Sequence, residues 1–123
     1  MILVDTSIWI DHLRAGSPAL AVLLEMGRCY CHPFVIGELA CGSLGNRSEI
    51  LSLLQSLPHL PTATNEETLF FIEQHKLMGR GIGYIDTHLL ASTAIHAARL
   101  WTRDKRLKVI AEEMGLAFEP VTH

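Results

Sequence analysis

The strongest constraint on the fold is a recurring pattern: a short run of branched apolar residues stops abruptly and gives way to a helix-forming stretch. Met1-Ile2-Leu3-Val4 ends at Asp5, and Thr6-Ser7 then supply hydroxyls at the cap of a helix through Ile8, Trp9, Ile10 and Leu13, which Gly16 ends. Ser17-Pro18 opens a second helix with Leu20, Leu23 and Leu24 on its apolar face, stopped by Gly27. Arg28 to Cys31 reads as a strand, and His32-Pro33 starts the helix that carries Glu38. Gly42 is followed by a short helix around Ile50, Leu51, Leu53 and Leu54, then by a weak strand from Leu60 to Ala63 and a helix from Glu66 to Met78. Gly79-Arg80-Gly81-Ile82-Gly83 lacks the preceding strand of a dinucleotide fingerprint and the Gly-Lys-Ser/Thr of a P-loop, so it reads as a flexible connector. A strongly apolar helix from Tyr84 to Ala98, a strand from Leu100 to Thr102, a helix from Lys105 to Met114 and an edge strand from Leu116 to Phe118 complete the series. Strands separated by helices imply right-handed crossovers, hence an α/β fold with a mainly parallel sheet and helices on both faces.

A chain of 123 residues fits one domain, residues 1–123, with a single core and no linker. Hydrophobic residues make up 49% of it against 19% charged, which leaves apolar surface for a partner. No stretch is long enough to span a membrane, and Met1 leads straight into a strand, so export is not expected. Three cysteines, an odd number, fit the reducing cytoplasm better than a disulfide framework, and Cys29-x-Cys31 has no second pair to complete a zinc site.

Four acids stand apart from this pattern. Asp5 closes the first strand; Glu38 lies on the helix after the second; Asp86 opens the long apolar helix; Asp104 follows the strand that ends at Thr102. In a parallel sheet ligands bind beyond the carboxyl ends of the strands, the edge these side chains can all reach. Carboxylates gathered there repel one another and need a compensating cation. Oxygen-only ligation suits Mg²⁺ or Mn²⁺, whose waters can meet a substrate phosphate, and suggests phosphodiester hydrolysis. Taken singly, Asp86 and Asp104 could be helix caps and Asp5 part of a turn. Glu38 is harder to explain that way, because Val35, Ile36, Leu39 and Ala40 crowd around it on a helix expected to be largely buried. The net charge of −3 argues at first against a nucleic-acid partner, but Arg99, Arg103, Lys105, Arg106 and Lys108 cluster around Asp104 as a basic rim.

Four segments carry a family resemblance: Leu3-Val4-Asp5-Thr6-Ser7-Ile8-Trp9-Ile10, Glu38-Leu39 with Gly42, Ile85-Asp86-Thr87-His88-Leu89-Leu90-Ala91-Ser92-Thr93-Ala94, and Trp101-Thr102-Arg103-Asp104-Lys105-Arg106-Leu107. In this order and spacing they resemble the PIN-domain ribonucleases, and among those the VapC toxins of bacterial type II toxin-antitoxin pairs. The resemblance implies a single three-layer domain with a five-stranded sheet in the order 3-2-1-4-5. It implies Mg²⁺ or Mn²⁺ held by Asp5, Asp86 and Asp104 directly or through water, Glu38 positioning or deprotonating water, and the Thr6 and Thr102 hydroxyls supporting the carboxylates. It also implies an RNA substrate, tRNA or rRNA, cut to inhibit translation, a homodimer, and a cognate VapB-like antitoxin lying over helices near the site. Arg80, Arg103, Lys105 and Arg106 are then candidates to hold RNA phosphates. The alternative within the family is an RNA-processing nuclease without an antitoxin. A receiver-like phosphoacceptor signalling module would need an aspartate after the third strand and a lysine after the fifth, where this chain has Thr62-Ala63-Thr64 and Glu119-Pro120. A haloacid-dehalogenase-like phosphatase would need a second aspartate where Ser7 stands.

Overall fold

The central strand β1 (Ile2–Val4) is three apolar residues, each at most 1% exposed. In the computed structural model, which describes residues 1–121, β1 pairs in parallel with β2 (Cys29–Tyr30) on one side and β3 (Arg99–Trp101) on the other. A strand enclosed on both faces and both edges has no solvent side, so it reads as an unbroken apolar run. The register sets Val4 beside Trp101, which brings Asp5 and Thr102, one residue on, to the same end of the sheet.

The sheet is smaller than the five strands expected. Beyond β2 there is one isolated parallel bridge, Cys31 to His59, and beyond β3 another, Leu100 to Ala117. Leu60 to Ala63 is therefore not a strand: Pro58 and Pro61 flank the bridged position and each lacks the N–H a ladder needs. Leu116 to Phe118 likewise contributes only Leu116 O and Phe118 N to Leu100 before Pro120 ends the run.

Seven helices connect and cover these strands: α1 (Thr6–Ala15), α2 (Pro18–Glu25), α3 (Pro33–Ala40), α4 (Arg47–Ser56), α5 (Asn65–His75), α6 (Tyr84–Ile95) and α7 (Lys105–Glu113), counted among the described residues. Helix α1 starts on the Asp5 carboxylate and stops where Gly16 turns to φ 79°. Helix α5 ends three residues before the expected Met78, since Lys76 takes the left-handed conformation, and α6 ends at Ile95, where Ala97 does the same. Helices α1, α3 and α4 pack as one group, and α5 against α6 as another.

Helix α6 is buried continuously from Thr87 to Thr93. Its polar members have partners: Thr87 and Thr93 hydroxyls donate to Gly83 and Leu89 carbonyls, and Ser92 meets His32 Nε2 at 3.3 Å. His32 is fully buried and caps α3, its Nδ1 accepting from Phe34 N–H at 3.0 Å. Nδ1 must therefore be unprotonated, which puts the neutral ring's proton on Nε2, facing Ser92. Burial, followed by repulsion from His88 and His59, lowers the His32 pKa to about 4.

Candidate active site

Asp5 is 6% exposed and its carboxylate is fully engaged. Oδ1 accepts from Thr6 N–H at 2.7 Å; Oδ2 accepts from Thr102 Oγ1 at 2.6 Å and from Ser7 Oγ at 3.0 Å. Charge on this buried group is tolerable because three donors replace its lost hydration. The network continues through Thr102 Oγ1, which accepts from Asp104 N–H at 3.1 Å, while Asp104 Oδ1 caps α7 by accepting from Leu107 N–H at 2.9 Å. Asp104 is thus a helix cap and a neighbour of Asp5 at once; the two readings do not compete.

Glu38 stands on the exposed side of α3, in contrast to the burial expected from its apolar neighbours. Only Val35 and Leu39 of that helix are buried, one turn apart, and Glu38 sits at the flank of the stripe they form. Thr6 Oγ1 donates to its Oε1 at 2.7 Å, tying α3 to the first turn of α1. Asp86 lies in the first turn of α6 and its pKa is raised to about 6. Burial is the largest cause, followed by the negative charge of Asp5; Asp104 and Glu38 push the same way, and the Gly83 backbone N–H opposes them. Asp5, Glu38 and Asp104 thus all lie within electrostatic reach of Asp86.

No group of three or more His, Cys, Asp or Glu among the described residues stands close enough to enclose an ion as it is. The donor set nevertheless fits a hard cation: every group is a carboxylate or hydroxyl oxygen, and the repulsion felt by Asp86 is what a cation would relieve. The Thr6 and Thr102 hydroxyls donate to Glu38 and to Asp5 respectively. Ser7 was missed by sequence reasoning; its hydroxyl donates to Asp5 and accepts from Arg103 N–H at 3.0 Å. The available signal was its position two residues after Asp5 in a capping turn.

The four basic candidates separate. Arg80 is bound to Glu113, with Nη2 to Oε2 at 2.6 Å, and Arg103 is bound to Asp11. Lys105 and Arg106 are exposed and make no ion pair among the described residues. His88 turns away from the acids, toward Thr68 Oγ1 at 3.2 Å and the rings of Phe34 and Tyr84.

Two cavities lie along α1 and α4, and of the four acids only Glu38 lines either of them. The larger, about 570 Å³, is lined by Glu38, Leu39, Ile10, Arg14, Asn46 and Ile50 among others. The smaller, about 240 Å³, shares Leu13 and Ile50 with it and adds Trp9, Leu24 and Leu53. Trp9 is 4% exposed, and its buried indole N–H has no partner among the described residues. Neither Arg14 nor Asn46 was expected near the site.

Residues 2–113 match the sequence model of the PIN domain. Two curated relatives named Ribonuclease VapC32, from Mycobacterium tuberculosis strains H37Rv and CDC 1551 / Oshkosh, are each 50% identical over 118 residues, covering 95% of this chain and of each relative. Among solved structures, a toxin-antitoxin complex from Klebsiella pneumoniae aligns with a TM-score of 0.64 at 20% identity, covering 85% of this chain and 87% of that one. FitAcB from Neisseria gonorrhoeae aligns with a TM-score of 0.63 at 20% identity, covering 91% and 94%.

Proposed function

Because this chain belongs to the PIN-domain family, we propose that it is a VapC-type endoribonuclease, the toxin of a type II toxin-antitoxin pair, using Mg²⁺ or Mn²⁺ at Asp5, Asp86, Asp104 and Glu38. The observation that carries this reading is the convergence of those acids within a chain half identical to named ribonucleases along nearly its whole length. A receiver-like signalling role falls with the family assignment.

When bound, a divalent cation supplies charge against the phosphate oxygens and makes water a stronger acid near neutral pH. The chain's own residues do the rest. Asp5 is fixed by three donors and Asp104 by its helix cap, so two carboxylates are oriented before substrate arrives. Glu38 has one oxygen held by Thr6 and the other without a hydrogen bond among the described residues, which suits it to take the proton of the attacking water. Attack by water breaks the P–O3′ bond and leaves 5′-phosphate and 3′-hydroxyl ends. The substrate on this reading is tRNA or rRNA, and its cutting inhibits translation.

The two cavities along α1 and α4, which share Leu13 and Ile50 and reach Glu38, offer a place for a VapB-like antitoxin as partner; a homodimer is the basic assembly on this reading. No helix among the described residues is long and apolar enough to cross a membrane, in keeping with action in the cytoplasm. A PIN-domain nuclease that processes RNA without an antitoxin is the competing reading; a small reading frame immediately upstream encoding a co-purifying partner separates the two.

Incubating purified protein with RNA tests the activity. Wild type with Mg²⁺ or Mn²⁺ should cut at limited sites, chelator should stop cutting, and Asp5→Asn and Asp86→Asn should each lose cleavage by orders of magnitude. Glu38→Gln should keep metal binding while turnover falls. Chelator-resistant cleavage leaving 2′,3′-cyclic phosphates would refute the mechanism.

A further inference from the structure

The connector from Gly79 to Gly83 lies against α7, and two arginines define how. Arg80 reaches Glu113 near the end of that helix, and Arg106, at its start, lies across Gly81. A Cβ at Gly81 would stand 2.8 Å from both Cδ and Nη1 of Arg106 and 3.2 Å from Cζ, so the guanidinium rests on bare backbone. Gly81 also has φ +83°, a conformation that side-chain-bearing residues rarely adopt.

Arg106 is not committed elsewhere. It makes no hydrogen bond or ion pair among the described residues, whereas Arg80, Arg103 and Lys108 are each held by a carboxylate. It does not act as counter-ion to Asp86, since the charges acting on that carboxyl are those of Asp5, Asp104 and Glu38, all unfavourable. Its place between the helices that deliver Asp104 and Asp86 is set by sequence: Asp104 caps α7 two residues before it, and Gly83 caps α6 two residues after Gly81.

Four carboxylates repel an approaching polyanion, and one divalent cation offsets only part of their charge. A phosphate entering this site therefore needs a cation from the protein that is exposed and free of internal partners, at the edge of the site and not neutralising the acids themselves. Lys105 and Arg14 are also exposed and without an ion pair among the described residues, Arg14 on the Glu38 side of the site, but of the three Arg106 is the one seated against a backbone glycine. On the ribonuclease reading above, we infer that Arg106 is the side chain through which this chain grips the RNA backbone beside its active site, seated by Gly81. A guanidinium packed against backbone has less freedom to move, and its fork of donors suits phosphate oxygens.

The test compares wild type with Arg106→Ala, Arg106→Lys and a control, Lys108→Ala. Binding of a fluorescent single-stranded RNA oligonucleotide is followed by anisotropy in chelator, where no turnover occurs, across a range of salt. Arg106→Ala should weaken binding about tenfold and flatten the plot of log K against log salt by about 0.7, the loss of one phosphate contact to a single strand. Arg106→Lys should retain most of the slope, and Lys108→Ala all of it. In cleavage assays Arg106→Ala should raise KM with kcat nearly unchanged. An unchanged salt slope, or a fall in kcat with KM intact, overturns the inference and makes Arg106 a prop for the connector. The slope is read without turnover, so it judges Arg106 even if wild type fails to cleave, a failure that would strike the ribonuclease reading alone.

Discussion

Acidification should destabilise this protein through one ring. His32 caps the helix that carries Glu38, and its acceptor nitrogen cannot take a proton without losing the Phe34 N–H. The ordinary histidine value is 6.5 and the folded value is about 4, so the folded state resists protonation that the unfolded chain accepts freely. The stabilisation is thus complete above pH 6.5 and is lost progressively as pH falls toward 4. Each pH unit in this window removes about 1.4 kcal/mol, so that about 2.5 kcal/mol is gone by pH 4.5, a large share of a small domain's stability. Urea unfolding followed by circular dichroism at pH 7.5, 6.5, 5.5 and 4.5 measures this loss. His32→Asn keeps a capping oxygen and removes the titration; it should be less stable at pH 7.5, by about 1–2 kcal/mol from lost packing, but flatter with pH. Other titrating groups, including the lowered His88, are common to both proteins and cancel in the difference. Equal pH slopes in the two proteins would refute the reasoning.

Asp86→Asn removes a carboxyl whose pKa is raised to about 6, so in chelator at pH 8 it should be more stable than wild type by about 3 kcal/mol, with the gain vanishing below pH 4. Mn²⁺ should raise the wild-type melting temperature, and Asp104→Asn should lose much of that response; an undiminished shift would leave Asp104 a helix cap only. Thr102→Val keeps the shape but removes the donor to Asp5 and the acceptor for Asp104 N–H, so it should cost about 1–3 kcal/mol and lower cleavage about 10- to 100-fold. Wild-type stability and rate in that variant would remove Thr102 from the site.

What could be read from sequence was what depends on near neighbours. The run at residues 2–4, the helix starts at Ser17 and His32, and Gly16 as a stop are local chemistry, and the structure places each where it was expected, whereas the cap of α1 is the Asp5 carboxylate and not the Thr6 and Ser7 hydroxyls. The outer strands were less legible because one bridged residue at each edge suffices once helices cover the sheet. Glu38 was found for a mistaken reason, since apolar neighbours on a helix do not bury the residue at the flank of their stripe. The capture of Arg103 by Asp11 and of Arg80 by Glu113 joins residues 92 and 33 positions apart, which no local pattern reveals.

The pairing of β1 with β3 also governs when the protein can become active. The bond from Thr102 to Asp5 spans 97 positions, and every contact that orients Asp5 from β3 waits for it. During synthesis the first strand emerges early, yet it has no partner on that edge until α6 and β3 have followed it out of the ribosome. Closing so long a loop is also slow compared with forming any of the helices between. A nascent chain that has not yet released β3 therefore lacks the Thr102 donor to Asp5, and the acid set stays incomplete until nearly the whole chain has been made.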